Sequence, residues 1–197
     1  MGSVTADIAV SLDLVAAGRD QSLEHPFGPR VGERLHTWMF EHGDDHADEV
    51  AAILQARAYI MGRHMFGPDR GDWDLEWQGW WGPEPPYHAP VFVLCSRPRE
   101  PLPMAGGTTF HFVTEGIEAA LERARDAAGD GDVSVAGGPS TLNGYLAAGL
   151  VDELRLHVAP FTVGDGLRVF DGVPDLAMVP ASSRATPHVT HLTYRRT

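Results

Sequence analysis

Residues 137–141, Gly-Gly-Pro-Ser-Thr, form the stretch best equipped to bind a ligand. Glycine lets the main chain approach a ligand closely. Pro139 suits the first position of a helix, where its missing N–H costs nothing. The free N–H groups of a first helical turn, with the helix dipole, favour an anion, and Ser140 and Thr141 add hydroxyl donors. That chemistry is phosphate binding. The same residues also suit a tight strand-to-helix connection that binds nothing. Arg63 and Arg97 follow two apolar strands, and a guanidinium offers a planar fork of donors to phosphate oxygens. Asp13 follows the first strand as a candidate substrate anchor or proton relay, with a turn carboxylate capping its own backbone as the alternative. His42 and His46 stand four apart among Asp44, Asp45, Asp48 and Glu49. The spacing suits a metal on a helix face, but Gly43 and the acidic run read as a solvated turn, so no metal site is assigned. Cys95 ends an apolar run and reads as a buried, inert thiol.

The elements that must position these residues alternate strand and helix, and strands dominate the end of the chain. This pattern gives an α/β class with a mixed sheet. The first strand runs over 5–12, followed by a flexible run at 16–20. Val31, Leu35, Trp38 and Met39 keep helical spacing through Phe40, and a helix over 48–55 turns Val50, Ile53 and Leu54 inward. Strands are expected over 58–61, 91–95 and 109–113. Thr114 is read as the cap of a helix whose inward stripe is Ile117, Ala120, Leu121 and Ala124. A strand at 133–136 leads into the glycines, and Leu142, Tyr145, Leu146 and Leu150 then keep a helical spacing that Gly149 stops. In the next strand Leu154, Leu156 and Val158 share one face, and Arg155 and His157 the other. Strands over 176–179 and 189–194, joined by a Ser/Thr/Pro loop, end the chain, with His188 and His191 on opposite faces. The segment 68–90 holds Trp73, Trp77, Trp80, Trp81 and Tyr87. It suits a lid over a flat substrate, a patch on the core, or a contact with a second subunit. Trp38, Trp81, Tyr87 and His88 are the candidate substrate-pocket residues.

At 197 residues the chain suits one domain, 1–197, with a full core. A formal charge of −12 repels nucleic acid and anionic membrane, and basic stripes are absent. No apolar run approaches the roughly 20 residues of a membrane helix, and no signal peptide is visible. The single cysteine fits a reducing, cytoplasmic setting. The dinucleotide fingerprint G-x-G-x-x-G, the phosphate loop G-x-x-x-x-G-K-[ST] and the nucleophile elbow G-x-S-x-G are all missing.

Five blocks together resemble the reductase domain of the riboflavin-biosynthesis enzymes and its relatives with the dihydrofolate reductase fold. They are V-x-V-A-G-G-P-S at 133–140, G-L-V-D-E-L-R-L-H-V-A-P at 149–160, G-D-G-L-R-V-F-D-G at 164–172, Met-Gly-Arg at 61–63 and Ser-Leu-Asp at 11–13. The resemblance implies a three-layer dihydrofolate reductase-like fold. Its central sheet would be mixed and mostly parallel, flanked by helices, with antiparallel C-terminal strands. It implies NADPH as cofactor: diphosphate at Gly137, Gly138, Pro139, Ser140 and Thr141, nicotinamide near Ala17 and Gly18, adenosine near Gly62 and Arg63, and 2′-phosphate at Ser96 and Arg97. It also implies a homodimer. Leu14 stands where the family usually has Gly. The expected function is an NADPH-dependent reductase passing hydride to a small, flat, conjugated or carbonyl- or imine-bearing molecule. The alternative is a non-catalytic small-molecule-binding module on the same fold; a metal-dependent hydrolase using the acidic histidine cluster ranks last. Riboflavin synthesis itself is not expected, since no second basic cluster for a ribose phosphate and no deaminase motif is present. Dihydrofolate reduction lacks a matching pterin-binding acid, Glu33 being the nearest.

Overall fold

The computed structural model of the chain describes residues 2–68 and 71–197. Among these residues the strands are β1 (Val4–Val10), β2 (Val15–Ala17), β3 (Ala58–Gly62), β4 (Pro90–Leu94), β5 (Leu102–Pro103), β6 (Thr109–Val113), β7 (Val133–Gly137), β8 (Glu153–Val158), β9 (Leu167–Arg168), β10 (Met178–Ala185) and β11 (Thr190–Arg196). The α-helices are α1 (Thr37–Phe40), α2 (Ala47–Leu54), α3 (Arg63–Phe66), α4 (Ile117–Ala128) and α5 (Pro139–Ala147). Nine strands form one sheet in the order β10-β11-β8-β1-β7-β3-β4-β6-β5. From β8 to β6 all pairs are parallel; β11 joins β8, β10 joins β11 and β5 joins β6 antiparallel. β2 and β9 pair separately.

Alternation along the strands builds the layers. Val4, Ala6, Ile8 and Val10 of β1 face α4 and α5, where Ala120, Leu121, Ala124, Leu142, Tyr145 and Leu146 close the main core. Burying each large side chain of this kind is worth about 1.5–3 kcal/mol. The Tyr145 hydroxyl donates to the Ile117 carbonyl at 2.7 Å and ties the two helices together. On the opposite face Ala9 meets Val31 and Leu35, and Tyr59 and Met61 meet Phe66, Tyr87 and Phe110. The expected three-layer arrangement with antiparallel C-terminal strands is therefore present. No helix among the described residues is long and apolar enough to cross a membrane.

Several local expectations change. Ala16 and Ala17, expected to open a flexible run over 16–20, instead belong to the buried strand β2 held by β9; three residues are too few for alternation to reveal. The spacing from Val31 to Phe40 resolves into a 3-10 turn at Gly32–Leu35 and the single turn α1. In α2 Val50 and Ile53 are only half-buried and Leu54 is exposed, so this helix rides at the rim. Thr114 does not cap α4: Gly116 does, at φ 96°, while the Thr114 N–H and hydroxyl both donate to the Glu115 carboxylate. The Ser/Thr/Pro loop is mostly strand, because pairing with β11 through Ala185 overrides its turn-like composition. Pro180 is tolerated there because β10 is an edge strand whose register shifts between Pro180 and Ser182.

Candidate functional site

β7 lies between β1 and β3, so its carboxyl end opens in the middle of the sheet, where open α/β sheets take ligands. There the chain turns through Gly137 at φ 123°, a region that favours glycine, and a cis Gly137–Gly138 peptide bond. Gly138 caps α5 from an extended conformation, Pro139 is its first residue, and no side chain supplies a cap. A Cβ on Gly138 would meet no atom within 4 Å, and one on Gly137 only the Met65 Sδ at 3.3 Å. The bend is open, and the first N–H groups of α5 stand at its mouth. Ser140 is exposed beside them. Thr141 turns to β3 instead: a Cβ on Gly62 would lie 2.4 Å from the Thr141 Oγ1, so only glycine lets that strand end pack on the first turn. Gly149 ends the segment as expected, at φ 67°, with Gly149 N–H to the Leu146 carbonyl and Leu150 N–H to the Tyr145 carbonyl, each 3.0 Å.

Arg63 and Arg97 are drawn to one dipeptide, Asp72-Trp73. The Arg63 guanidinium carbon lies 3.6 Å from the Trp73 ring centroid. Arg97 pairs with Asp72 through its side chain, and its carbonyl accepts the Trp73 indole N–H at 3.1 Å. Both arginines thus share a neighbourhood at the carboxyl ends of β3 and β4, with Ser96 exposed next to them. The Cys95 thiol donates to the Arg97 carbonyl at 3.2 Å, and burial pushes its pKa up, as suits an unreactive group.

Beside the bend, three segments are clamped by polar side chains. The Asp13 carboxylate accepts from the Ser11 hydroxyl (2.7 Å), the Val163 N–H (3.0 Å) and the Gly164 N–H (2.8 Å). Those donors, the Ser11 hydroxyl first, hold its pKa far below the usual carboxylate range. Arg168 donates to the Asp13 carbonyl at 3.1 Å and the Gly164 carbonyl at 2.7 Å. Asn143 of α5 donates to the Arg168 carbonyl at 2.9 Å and accepts the Phe170 N–H at 2.8 Å. Ala17 lies in β2 and Gly18 just after it, its N–H bonded to the Phe27 carbonyl at 2.8 Å. Leu14 adopts φ 60°, so the loop follows the left-handed path that a glycine would take. A cleft of about 300 Å³ runs from Ser140 along α5 past Asn143 and Arg168 to Asp171. Asn143 was not expected at the site, and Arg168 was seen only as part of the block at 164–172, without a role. A polar residue inside the apolar stripe Leu142-Tyr145-Leu146 was the available signal for Asn143.

The four substrate-pocket candidates do not gather at this site. Tyr87 and His88 precede β4 and so lie at the amino end of the parallel strands, opposite the glycine bend. Tyr87 is 6% exposed, and Trp81 packs on Tyr87 and Phe110 at 5.2 and 5.9 Å, so both serve the core. His88 donates from Nδ1 to the Gly106 carbonyl at 2.8 Å and holds a turn. Trp38 is 1% exposed and packs on His46, His157 and His191. The aromatic segment is thus mainly wall of the second core layer; its Trp73 end alone reaches the arginines.

The histidines also part company with expectation. His42 stacks on His188, with ring centroids 3.8 Å apart. His46 is buried, not solvated, and meets His191, which lies opposite His157 in the β8–β11 register. Burial, with His157 next, lowers His191 to about 4, and burial lowers His46. The Arg184 hydrogen bond lowers Glu49 to about 2.

The RibD C-terminal domain family matches residues 2–192 of the chain. Among solved structures, a candidate riboflavin biosynthesis protein from Shewanella sp. PV-4 aligns with a TM-score of 0.65 and 21% identity, covering 99% of each chain. RibD of Acinetobacter baumannii aligns at 0.62 with 16% identity, over 100% of this chain and 58% of its own. A diaminohydroxyphosphoribosylaminopyrimidine deaminase/5-amino-6-(5-phosphoribosylamino)uracil reductase of Thermotoga maritima aligns at 0.61 with 15% identity, over 100% and 57%. The chain therefore spans little more than half of these two proteins. No curated protein matches it.

Proposed function

Because the chain belongs to the RibD C-terminal domain family, we propose that it is a reductase that uses NADPH to reduce a small, flat molecule bearing a conjugated, carbonyl or imine group. The observation that carries this reading is the unobstructed Gly137–Pro139 bend at the N-terminus of α5, in the middle of the sheet. The residues present suit the cofactor. Main-chain N–H groups of Ser140 and Thr141, with the helix dipole, match a diphosphate. Arg63 and Arg97 match the 2′-phosphate. For Arg97 to serve, its contact with Asp72 must yield; the two side chains are 55% and 92% exposed, and such surface pairs are worth about 0–1 kcal/mol.

When bound, NADPH supplies the hydride, and the protein supplies position and electrostatics. Reaction requires donor and acceptor held about 3–3.5 Å apart. The Ser11–Ala17 segment, fastened to β9 and α5 through Asp13, Arg168 and Asn143, is suited to hold that spacing beside the bend. Asp13 acts here as a positioning group. A carboxylate kept ionised has no proton to give at neutral pH.

NADPH titration followed by melting temperature tests the reading, and an unchanged melting temperature at millimolar NADPH overturns it. In the variant Arg97→Ala, NADPH affinity falls at least tenfold while NADH affinity changes little. Equal losses for the two cofactors remove the 2′-phosphate assignment. Consumption of NADPH across a panel of conjugated carbonyl and imine compounds then identifies the substrate class.

A further inference from the structure

On the face of the sheet away from α4 and α5, β8 and β11 bring His157 and His191 side by side, and the segment before α2 lays His46 over them. His46 Nδ1 is 2.8 Å from His191 Nε2, and Glu49 Oε1 is 3.9 Å from the same nitrogen. The three residues can each offer one ligand atom, all within 4.8 Å of one another. Behind them His191 Nδ1 is 2.7 Å from His157 Nδ1, and His157 Nε2 is 3.5 Å from Asp7 Oδ1. We propose that His46, Glu49 and His191 form a binding site for one divalent cation of the zinc class, which pins the segment before α2 to strand β11.

Counting donors supports a cation there. A neutral imidazole has one N–H. Arg184 has only donors, and its Nη2 lies 3.0 Å from His46 Nδ1, which must then accept. His191 Nε2 must therefore donate to His46, and His157 Nδ1 to His191. His157 Nε2 is left bare, facing a carboxylate. Among the described residues that atom and Asp7 Oδ2 are buried without a hydrogen-bond partner, a costly arrangement. A cation between His46 Nδ1 and His191 Nε2 reverses the chain with the same number of protons. His191 Nδ1–H then donates to His157, and His157 Nε2–H points at Asp7. A ligating imidazole whose second nitrogen is oriented through a further acceptor is the usual outer support of a metal site.

The donor set fixes the ligand class. Two imidazole nitrogens and one carboxylate favour zinc, cobalt, nickel or copper over magnesium or calcium. With metal–ligand bonds of about 2.0–2.2 Å, tetrahedral donors sit roughly 3.3 Å apart. The 2.8 Å pair must open slightly and the 3.9 Å pair must close slightly. Arg184 is the competitor: it grips both Glu49 oxygens at 2.7 Å, and its side chain is 44% exposed and has room to swing out. The site lies on β11, α2 and the segment before α2, apart from the glycine bend, and the inference is independent of the reductase reading.

The test uses the full chain without an affinity tag, stripped with chelator and titrated with zinc chloride in a calorimeter, with cobalt chloride as a spectroscopic probe. One zinc per chain, a raised melting temperature and visible cobalt absorption of a tetrahedral nitrogen–oxygen site are expected. His191→Gln and His46→Gln should each weaken zinc at least tenfold, and Glu49→Gln, at a half-buried position, severalfold. His42→Gln should leave affinity unchanged. Arg184→Ala should tighten zinc, because it removes the competing cation. Circular dichroism confirms folding, and should His191→Gln fail to fold, Glu49→Gln and Arg184→Ala decide. Absence of saturable binding at 100-fold molar excess, unaltered affinity in Glu49→Gln, or weaker binding in Arg184→Ala overturns the proposal.

Discussion

Asp13 carries the densest set of hydrogen bonds near the candidate site: one hydroxyl and two main-chain N–H groups converge on its two oxygens. In Asp13→Asn the amide NH2 must confront a donor, so a loss of about 1–3 kcal/mol is expected from denaturant unfolding. The sign with pH follows from the lowered folded-state pKa. Its contribution is fully present above the ordinary 3.8 and drains away as pH falls further towards the depressed folded value. The variant should therefore lose part of the wild-type acid sensitivity below pH 4. Leu14 gives a second residue-scale test. At φ 60° a side chain costs about 1 kcal/mol that glycine avoids. Leu14→Gly should thus be about 1 kcal/mol more stable than Leu14→Ala, where both have lost the same packing against the main core. Equal stability of the two would remove the strain argument.

The strand-to-helix unit β7–α5 supplies the element-scale expectation. Gly138 has an ordinary φ of −72° and free space around its missing Cβ, so Gly138→Ala should fold with an unchanged melting temperature. Its methyl group would project into the mouth of the bend, and NADPH affinity should fall at least tenfold in the same titration. A large drop in melting temperature would show that the space is not spare. The strand, the bend and the helix stop of this unit were legible in the chain, from the valines of β7 through Pro139 to the left-handed Gly149, because those signals are local; that Thr141 turns to Gly62 and that Leu150 falls outside α5 were not. The opposite holds for the histidine group. His46 and His191 are joined only by strand register and by the path of the segment before α2, neither of which leaves a local trace. The acidic neighbours of His46 pointed to solvent, and the imidazole is buried. The aromatic segment misled for a related reason. Composition reveals that Trp81 and Tyr87 must be covered, but not which end of the sheet covers them.

At the scale of the whole molecule, the chain carries a formal charge of −12, and Arg63 and Arg97 follow β3 and β4 on that acidic body. The homodimer implied by the family resemblance is a proposal that sedimentation velocity at micromolar concentration tests directly; a monomer removes it. Where two copies would meet is restricted by the ends of the sheet. At one end stands β5, two residues long and closing on Pro103; at the other stands β10, with Pro180 and a slipped register. Neither border offers a long, regular ladder for a further strand. Lateral growth of the sheet into ribbons or fibrils is thereby discouraged, and the proposed dimer would have to form through the broad faces. Replacing Pro180 with valine should remove that guard, and the first sign would be thioflavin-positive aggregates from otherwise folded protein.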